Sequence, residues 1–267
     1  MLRSLFTGIS GLRAHQQMLD VTSSNIANVN TAGYKGASTV FEDTLSQTIG
    51  GGGAATATNG GTNPTQIGLG VQLAGTSTNF AQGSSQYTGR GSDVLVNGDG
   101  FFVLSNNGKQ TYTRAGSFSL DNAGHLVAPD GSKVQSAGGG DLNLSALNSG
   151  TYVSWSISSS GAVNAVDSAG VTTTLDTIAT ATFANPGGLA RVGDSQFETT
   201  ANSGAAQIGA PGTGGRGTLT SGYLEMSNVD LASELTNLII SERGFQANSR
   251  VITTSDEVLQ SLISLKN

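Results

Sequence analysis

Few side chains in this sequence are of a kind that does chemistry, and they do not gather. There are two histidines and no cysteine. His15 falls in a helix-like stretch and His125 in a hairpin-like one, which gives neither a metal-ligand spacing nor a Ser-His-Asp set. Without cysteine there are no disulfides, thiolate metal sites or cysteine nucleophiles. Asp93 and Asp99 could be read as the acid pair of a glycosidase, but an aspartate inside Asn97-Gly98-Asp99-Gly100 is a turn former first. No glycine-rich run of phosphate-loop order opens a helix. Asn143-Leu144-Ser145 satisfies a glycosylation sequon, which carries no meaning outside a eukaryotic secretory route. A secreted hydrolase or carbohydrate-binding β protein is the reading these residues leave open, and they give it little support. No catalytic residue, cofactor or metal is expected.

The charge pattern removes other classes. Charged residues are 11% of the chain, against about a quarter in ordinary globular proteins, and the 39 glycines are about twice the usual share. The 12 lysines and arginines are scattered and the net charge is -6. Phosphate neutralisation needs grouped cations, so nucleic acid is not an expected partner. No run of about 18 apolar residues occurs, so membrane insertion is not expected either. The first residues, Met1 to Arg13, hold two arginines but no apolar run of signal-peptide length, so export by a cleaved leader is not indicated.

The elements that must position these residues fall into two styles. Leu2, Leu5, Ile9, Leu12, Leu19 and Ile26 follow steps of three and four, with Gln16 and Ser23 filling the polar gaps. This predicts a helix from Ser4 to Val29, roughly 39 Å long, that stops at Asn28, Asn30 and Gly33. Near the other end Leu231, Leu235, Leu238, Phe245, Ile252, Leu259 and Ile263 form a similar stripe, interrupted by Glu242, Ser249 and Asp256. Ser227 with Asp230 resembles a capping box, so a second helix from Asn228 to Leu265, roughly 57 Å long, is predicted with Gly244 as its one internal glycine.

Between the helices the period changes to two. Strands are predicted at Asp93–Val96, Phe101–Leu104, Gln110–Thr113, Ser117–Leu120, His125–Val127, Tyr152–Ile157, Ala162–Val166, Val171–Leu175, Ile178–Phe183 and Gln196–Thr199. Asn106-Asn107-Gly108 and Asp121-Asn122-Ala123-Gly124 are turns, because Asn, Asp and Gly tolerate positive φ. Phe101, Phe102, Tyr112 and Phe118 supply a small sheet core. The fold class is therefore α+β: long terminal helices forming a coiled-coil-like inner domain (1–36 with 224–267) and a Gly-rich, mainly antiparallel outer β domain (76–199). Residues 37–75 and 200–223 read as linker or insertion, Gly50–Gly70 and Ala201–Gly217 being richest in glycine.

Two long amphipathic helices must bury their stripes, and a small β domain cannot cover both. Pairing the helices, and then packing pairs from neighbouring copies together, is the economical solution. Such termini are expected to order on assembly. The plainer alternative is a monomer with both helices lying on its sheet.

Several motifs now carry a resemblance. Ser10-Gly11-Leu12, the run Asn25-Ile26-Ala27-Asn28-Val29-Asn30-Thr31 and Gly33-Tyr34-Lys35 resemble the N-terminal signature of flagellar rod and hook proteins. Leu224-Glu225-Met226-Ser227-Asn228-Val229-Asp230-Leu231 and Arg243-Gly244-Phe245-Gln246-Ala247-Asn248-Ser249 resemble the C-terminal one. Gly98-Asp99-Gly100-Phe101-Phe102 and Tyr112-Thr113-Arg114-Ala115-Gly116 are similar to β-domain motifs of the same family. The resemblance implies a helical homopolymer whose helices line a central channel, with the distal rod, hook cap and hook–filament junction proteins as partners. It also implies type III export without cleavage to an extracellular position in the flagellum. Phe41-Glu42-Asp43-Thr44-Leu45 looks like the family's export-gate signal, through Phe41 and Leu45.

Within the family two roles suit this length: a flexible hook subunit and a rigid distal rod subunit. Gln86-Tyr87-Thr88-Gly89-Arg90, Asp93 to Val96 and Ile252 to Asp256 resemble the hook version, while residues 46–70 resemble an insertion of distal rods. The hook is the expected role and the rod the alternative. A monomeric adhesin or a junction adaptor would also use amphipathic ends.

Overall fold

The computed structural model describes residues 2–56, 60–149 and 151–265. The chain divides into two compact units: Met1–Ala27, Ala37–Thr78 and Asp230–Asn267 make the first, Asn28–Gly36 and Asn79–Val229 the second.

The first unit holds both long helices, α1 (Leu2–Ala27) and α2 (Leu231–Leu265). α1 ends two residues before Val29, because Asn28 to Asn30 turn instead. α2 starts later than the sequence suggested. Asp230 is its cap: the Asp230 Oδ1 accepts the Ala232 N–H at 3.1 Å, and the Asp230 carbonyl accepts that of Glu234 at 3.0 Å. Ser227 makes only a local turn, its Oγ accepting the Val229 N–H at 3.3 Å.

Residues 37–78 are not bare linker. Strand β1 (Ala37–Asp43) pairs antiparallel with β4 (Val71–Thr78), and β2 (Ser46–Gly50) pairs with β3 (Thr65–Gly68), one hairpin nested in the other. Asn59, part of the expected Asn59-Gly60-Gly61 turn, lies outside the described residues. The hairpins sit on α1: Ser10 Oγ accepts the Val71 N–H at 3.3 Å and Thr7 Oγ1 donates to the Leu69 carbonyl at 3.3 Å.

The second unit is antiparallel β. Its strands are β5 (Ser85–Tyr87), β6 (Val94–Asn97), β7 (Phe101–Asn106), β8 (Lys109–Thr113), β9 (Ser119–Leu120), β10 (Leu126–Val127), β11 (Lys133–Val134), β12 (Tyr152–Ile157), β13 (Ala162–Asp167), β14 (Thr172–Thr177), β15 (Thr180–Thr182), β16 (Ala190–Gly193), β17 (Gln196–Glu198), β18 (Gln207–Gly209), β19 (Thr218–Ser221) and β20 (Tyr223–Glu225). The main sheet runs β16-β17-β8-β7-β11-β10-β9, with β15 on β7 and β18 on β15. A three-stranded sheet β12-β13-β14 and the pairs β19-β6 and β20-β5 complete the unit. Each span predicted as a strand contains one, with ends trimmed or extended by a few residues. β5, β11, β16, β18, β19 and β20 had no separate strand signal in the sequence.

Asn107 (φ 51°) and Gly108 (φ 83°) make the tight turn between β7 and β8 that their residue types call for. The core is aromatic as expected: Phe101, Phe102, Tyr112 and Phe118 are all buried. Phe102 and Phe118 meet edge to face at 5.0 Å, among Val94, Leu104, Leu126 and Ile178. Phe101, Tyr112 and Phe197 form a second cluster on the other side of β7, since successive side chains of a strand point to opposite faces.

Candidate functional site

α1 and α2 meet through small and polar residues. A Cβ placed on Gly8 would lie 3.2 Å from Ile252 Cγ1, one on Gly11 would lie 2.7 Å from Asn248 Oδ1, and one on Gly244 would lie 2.5 Å from His15 Nε2. All three distances are below an ordinary van der Waals contact, so the helices approach closely because these positions carry no side chain. Ala14, Thr22, Asn25 and Ser241 are buried along the same line, and Ser4 faces Ser255 with 3.4 Å between their hydroxyls.

Asn25 explains its place in the motif. Its amide pairs with the backbone of Ala37 as a strand would, donating to the carbonyl at 2.7 Å and accepting the N–H at 3.0 Å, and it also donates to Glu234 Oε1 at 3.1 Å. One side chain thus ties the end of α1, the start of β1 and the first turn of α2. Asn248 Nδ2 donates to the Gly244 carbonyl at 2.9 Å, and Gln246 Nε2 to Glu242 Oε1 at 3.0 Å, both within α2. Ala27 is the last residue of α1 and is exposed.

Of the predicted stripes Ile252 enters this seam, against Gly8. Leu5, Leu12, Leu19, Ile26, Leu238, Ile252 and Leu259 are half-buried, whereas Ile9, Leu231, Leu235, Phe245 and Ile263 are exposed, Ile263 by 66%. The side chain of Leu2 lies outside the described residues. The stripes missed further apolar groups on the same helices: Phe6, Ile239, Ile240, Val251, Val258 and Leu262 are exposed as well. All of these but Ile240 are next to a residue already assigned to the stripe, which hid them.

In the second unit the remaining motifs converge on a buried ion cluster. Lys35 Nζ lies 2.6 Å from Glu225 Oε1, and both side chains are 0% exposed. Lys35 also donates to the Ala81 carbonyl at 2.8 Å. Arg114 Nη1 reaches Glu225 Oε2 at 3.3 Å, Nη2 donates to the Gly98 carbonyl at 2.9 Å, and the guanidinium lies 5.3 Å from the centre of the Phe101 ring. Burial pushes both Lys35 and Arg114 below their ordinary ranges; the hydrogen bond and charge of Glu225 oppose this for Lys35, and the charges of Glu225 and Asp99 oppose it for Arg114. The Gly33 N–H donates to the Glu225 carbonyl at 2.7 Å, Gly36 N–H to Asn228 Oδ1 at 2.8 Å, and Asn228 Nδ2 to the Asn79 and Ala81 carbonyls. Tyr34 is buried with the Arg191 guanidinium 5.0 Å above its ring. Gly33, at φ 69°, leaves no room for a Cβ against the backbone of Ala115.

The residues that could have carried catalysis are dispersed. Asp93 is buried and accepts from Thr88 Oγ1 at 2.7 Å; the Asp99 carbonyl accepts the Gly217 N–H at 2.6 Å. His125 Nδ1 bonds the Leu142 carbonyl at 3.0 Å, and His15 packs on Gly244. Among the described residues no group of three or more His, Cys, Asp or Glu is placed to hold a metal. Phe41 is in β1 opposite Leu73, its ring 6.4 Å from that of His15, and Leu45 is 86% exposed between β1 and β2.

Three family models match the segments in which these features lie: flagella basal body rod protein over residues 5–35, flagellar hook protein FlgE/F/G D1 domain over 95–165, and flagellar basal body rod FlgEFG protein C-terminal over 220–265. Over the full length of both chains it is 48% identical to the flagellar basal-body rod protein FlgG of Bacillus subtilis.

The chain belongs to the flagellar rod and hook family.

FlgG of Caulobacter vibrioides is 38% identical, again over 100% of both chains. The flagellar hook protein FlgE of Borreliella burgdorferi is 29% identical over an alignment of 442 positions covering both chains. That hook protein therefore carries a long stretch with no counterpart in these 267 residues. Of these three relatives the two rod proteins are the more similar, which favours the rod alternative over the hook expected from Gln86 to Arg90, Asp93 to Val96 and Ile252 to Asp256. The ion cluster draws one residue from each matched segment: Lys35, Arg114 and Glu225. The sequence motifs contained all three, and the signal that could have singled them out was a charge placed inside motif stretches of an otherwise charge-poor chain.

Proposed function

We propose that this chain is a subunit of the distal rod, polymerising with copies of itself into a stiff hollow shaft of the flagellar basal body and catalysing no reaction. The observation that carries the reading is full-length identity of 48% to a basal-body rod protein, against 29% to a longer hook protein. The physical support is the apolar surface the helix pair leaves uncovered. Ile9, Leu231, Leu235, Phe245 and Ile263 stand outside the small-residue seam, and burying what each still exposes gains about half of the roughly 1.5–3 kcal/mol of a fully exposed side chain. Neighbouring helix pairs supply that cover, so Leu2, Leu5, Ile9, Leu12, Leu19, Ile26 and their counterparts on α2 become the wall of the tube. Phe41 and Leu45 serve the type III export apparatus while the chain is unfolded, before β1 forms. The other partners are the axial proteins above and below it.

Deletion of the gene, followed by electron microscopy of isolated basal bodies, tests the role. Truncated rods without hooks are expected. Complete rods lacking only hooks would overturn the assignment in favour of the hook.

A further inference from the structure

The geometry points to a latch: Lys35, Glu225 and Arg114 make docking of the two connectors, residues 28–36 after α1 and 223–229 before α2, conditional on each other. Lys35 and Glu225 are separated by 190 positions in sequence, yet both side chains are fully buried. Lys35 has two acceptors, Glu225 Oε1 and the neutral Ala81 carbonyl. If the second connector is absent, the ammonium keeps one neutral acceptor and still faces Arg114, and a buried cation in that state is strongly disfavoured. The backbone repeats the link, because the Gly33 N–H donates to the carbonyl of Glu225 itself. The first connector therefore has no stable docked state until Glu225 arrives, however early it is made or exported.

In direct contact the cluster is also unbalanced, with one carboxylate shared by two cations, while the charge of Asp99 acts on Arg114 alone and from beyond ion-pair distance. That imbalance sets an order of severity. Removing Glu225 leaves two like charges buried. Removing Lys35 leaves Glu225 neutralised by Arg114 and still accepting the Gly83 N–H at 2.9 Å. Removing both Lys35 and Glu225 leaves one guanidinium with the Gly98 and Val96 carbonyls as acceptors. The latch lies within a single chain and is the same in a rod or a hook subunit.

Hydrogen exchange by mass spectrometry on the purified full chain tests the latch with Glu225→Gln, Lys35→Met and the double variant. In Glu225→Gln, peptides covering 28–36 and 223–229 should exchange faster together, on the order of 100-fold, while those of β7 and β8 stay protected. Lys35→Met should change both far less, and the double variant should recover most of the lost protection. Unchanged exchange at 28–36 in Glu225→Gln overturns the proposal, as does a double variant no better than Glu225→Gln. If Glu225→Gln loses the β7–β8 protection too, the double variant decides: recovery of both connectors supports the latch, and continued unfolding refutes it.

Discussion

Replacing Gly244 with alanine puts the helix pair to a test of sign. In the interior of an isolated helix that change is stabilising, by about 1 kcal/mol, because alanine loses less backbone freedom than glycine. In this structure the new methyl would lie 2.5 Å from His15 Nε2 and 2.7 Å from Nδ1. Ordinary contact needs about 3.5 Å, so a rigid ring must retreat by about 1 Å, and such overpacking costs about 1–3 kcal/mol. The net expectation is a loss of about 1 kcal/mol. In a His15→Ala background the ring is gone and the same substitution should stabilise by about 1 kcal/mol, a coupling of about 2 kcal/mol between the two positions. Urea unfolding of the four proteins, followed by helical circular dichroism, measures all sides of the cycle. If Gly244→Ala stabilises equally with and without the imidazole, α1 and α2 do not meet as described.

Other perturbations probe the remaining parts. Phe102→Ala opens a cavity beside Phe118 in a fully buried core and should cost about 3–5 kcal/mol in urea unfolding of the β unit; a loss under 1 kcal/mol would contradict that packing. Asp230→Ala removes the cap of α2 and should cost about 1 kcal/mol, read from the same helical signal, whereas Ser227→Ala should leave the start of α2 intact. Asp121 accepts the N–H groups of His125 at 2.7 Å and Ala123 at 2.9 Å, and chiefly the His125 bond holds its carboxyl below the ordinary range. A depressed carboxylate stabilises the fold above its unfolded value of about 3.9 and ceases to do so as pH falls through the folded one. The difference in urea midpoint between the wild type and Asp121→Asn should therefore be constant near neutrality and shrink in acid; a difference independent of pH would count against the turn geometry.

The features legible in the residues alone were the local ones. The stripes of period three and four located both helices, and Asn107-Gly108 fixed a turn because only residues tolerant of positive φ fit it. The short apolar run Phe101 to Leu104, bounded by Asn and Gly turn residues, marked a strand and its aromatic core, and both of its faces are buried. The folded chain decided which helix face is shared. Periodicity weighs apolar volume, while close approach depends on its absence at Gly8, Gly11 and Gly244, so the closest seam forms at the glycines and part of the stripe, Leu231, Leu235 and Ile263 among it, stays exposed. The nested hairpins of residues 37–78 gave no strand signal because their strands are mostly exposed and rich in Thr, Ser, Gln and Gly. The pairing of Lys35, Glu225 and Arg114 was missed for a different reason, although each lies in a sequence motif. A charged side chain read alone is a solvated one, and only three-dimensional closure over 190 positions shows that its counter-charge has been brought to it inside the protein.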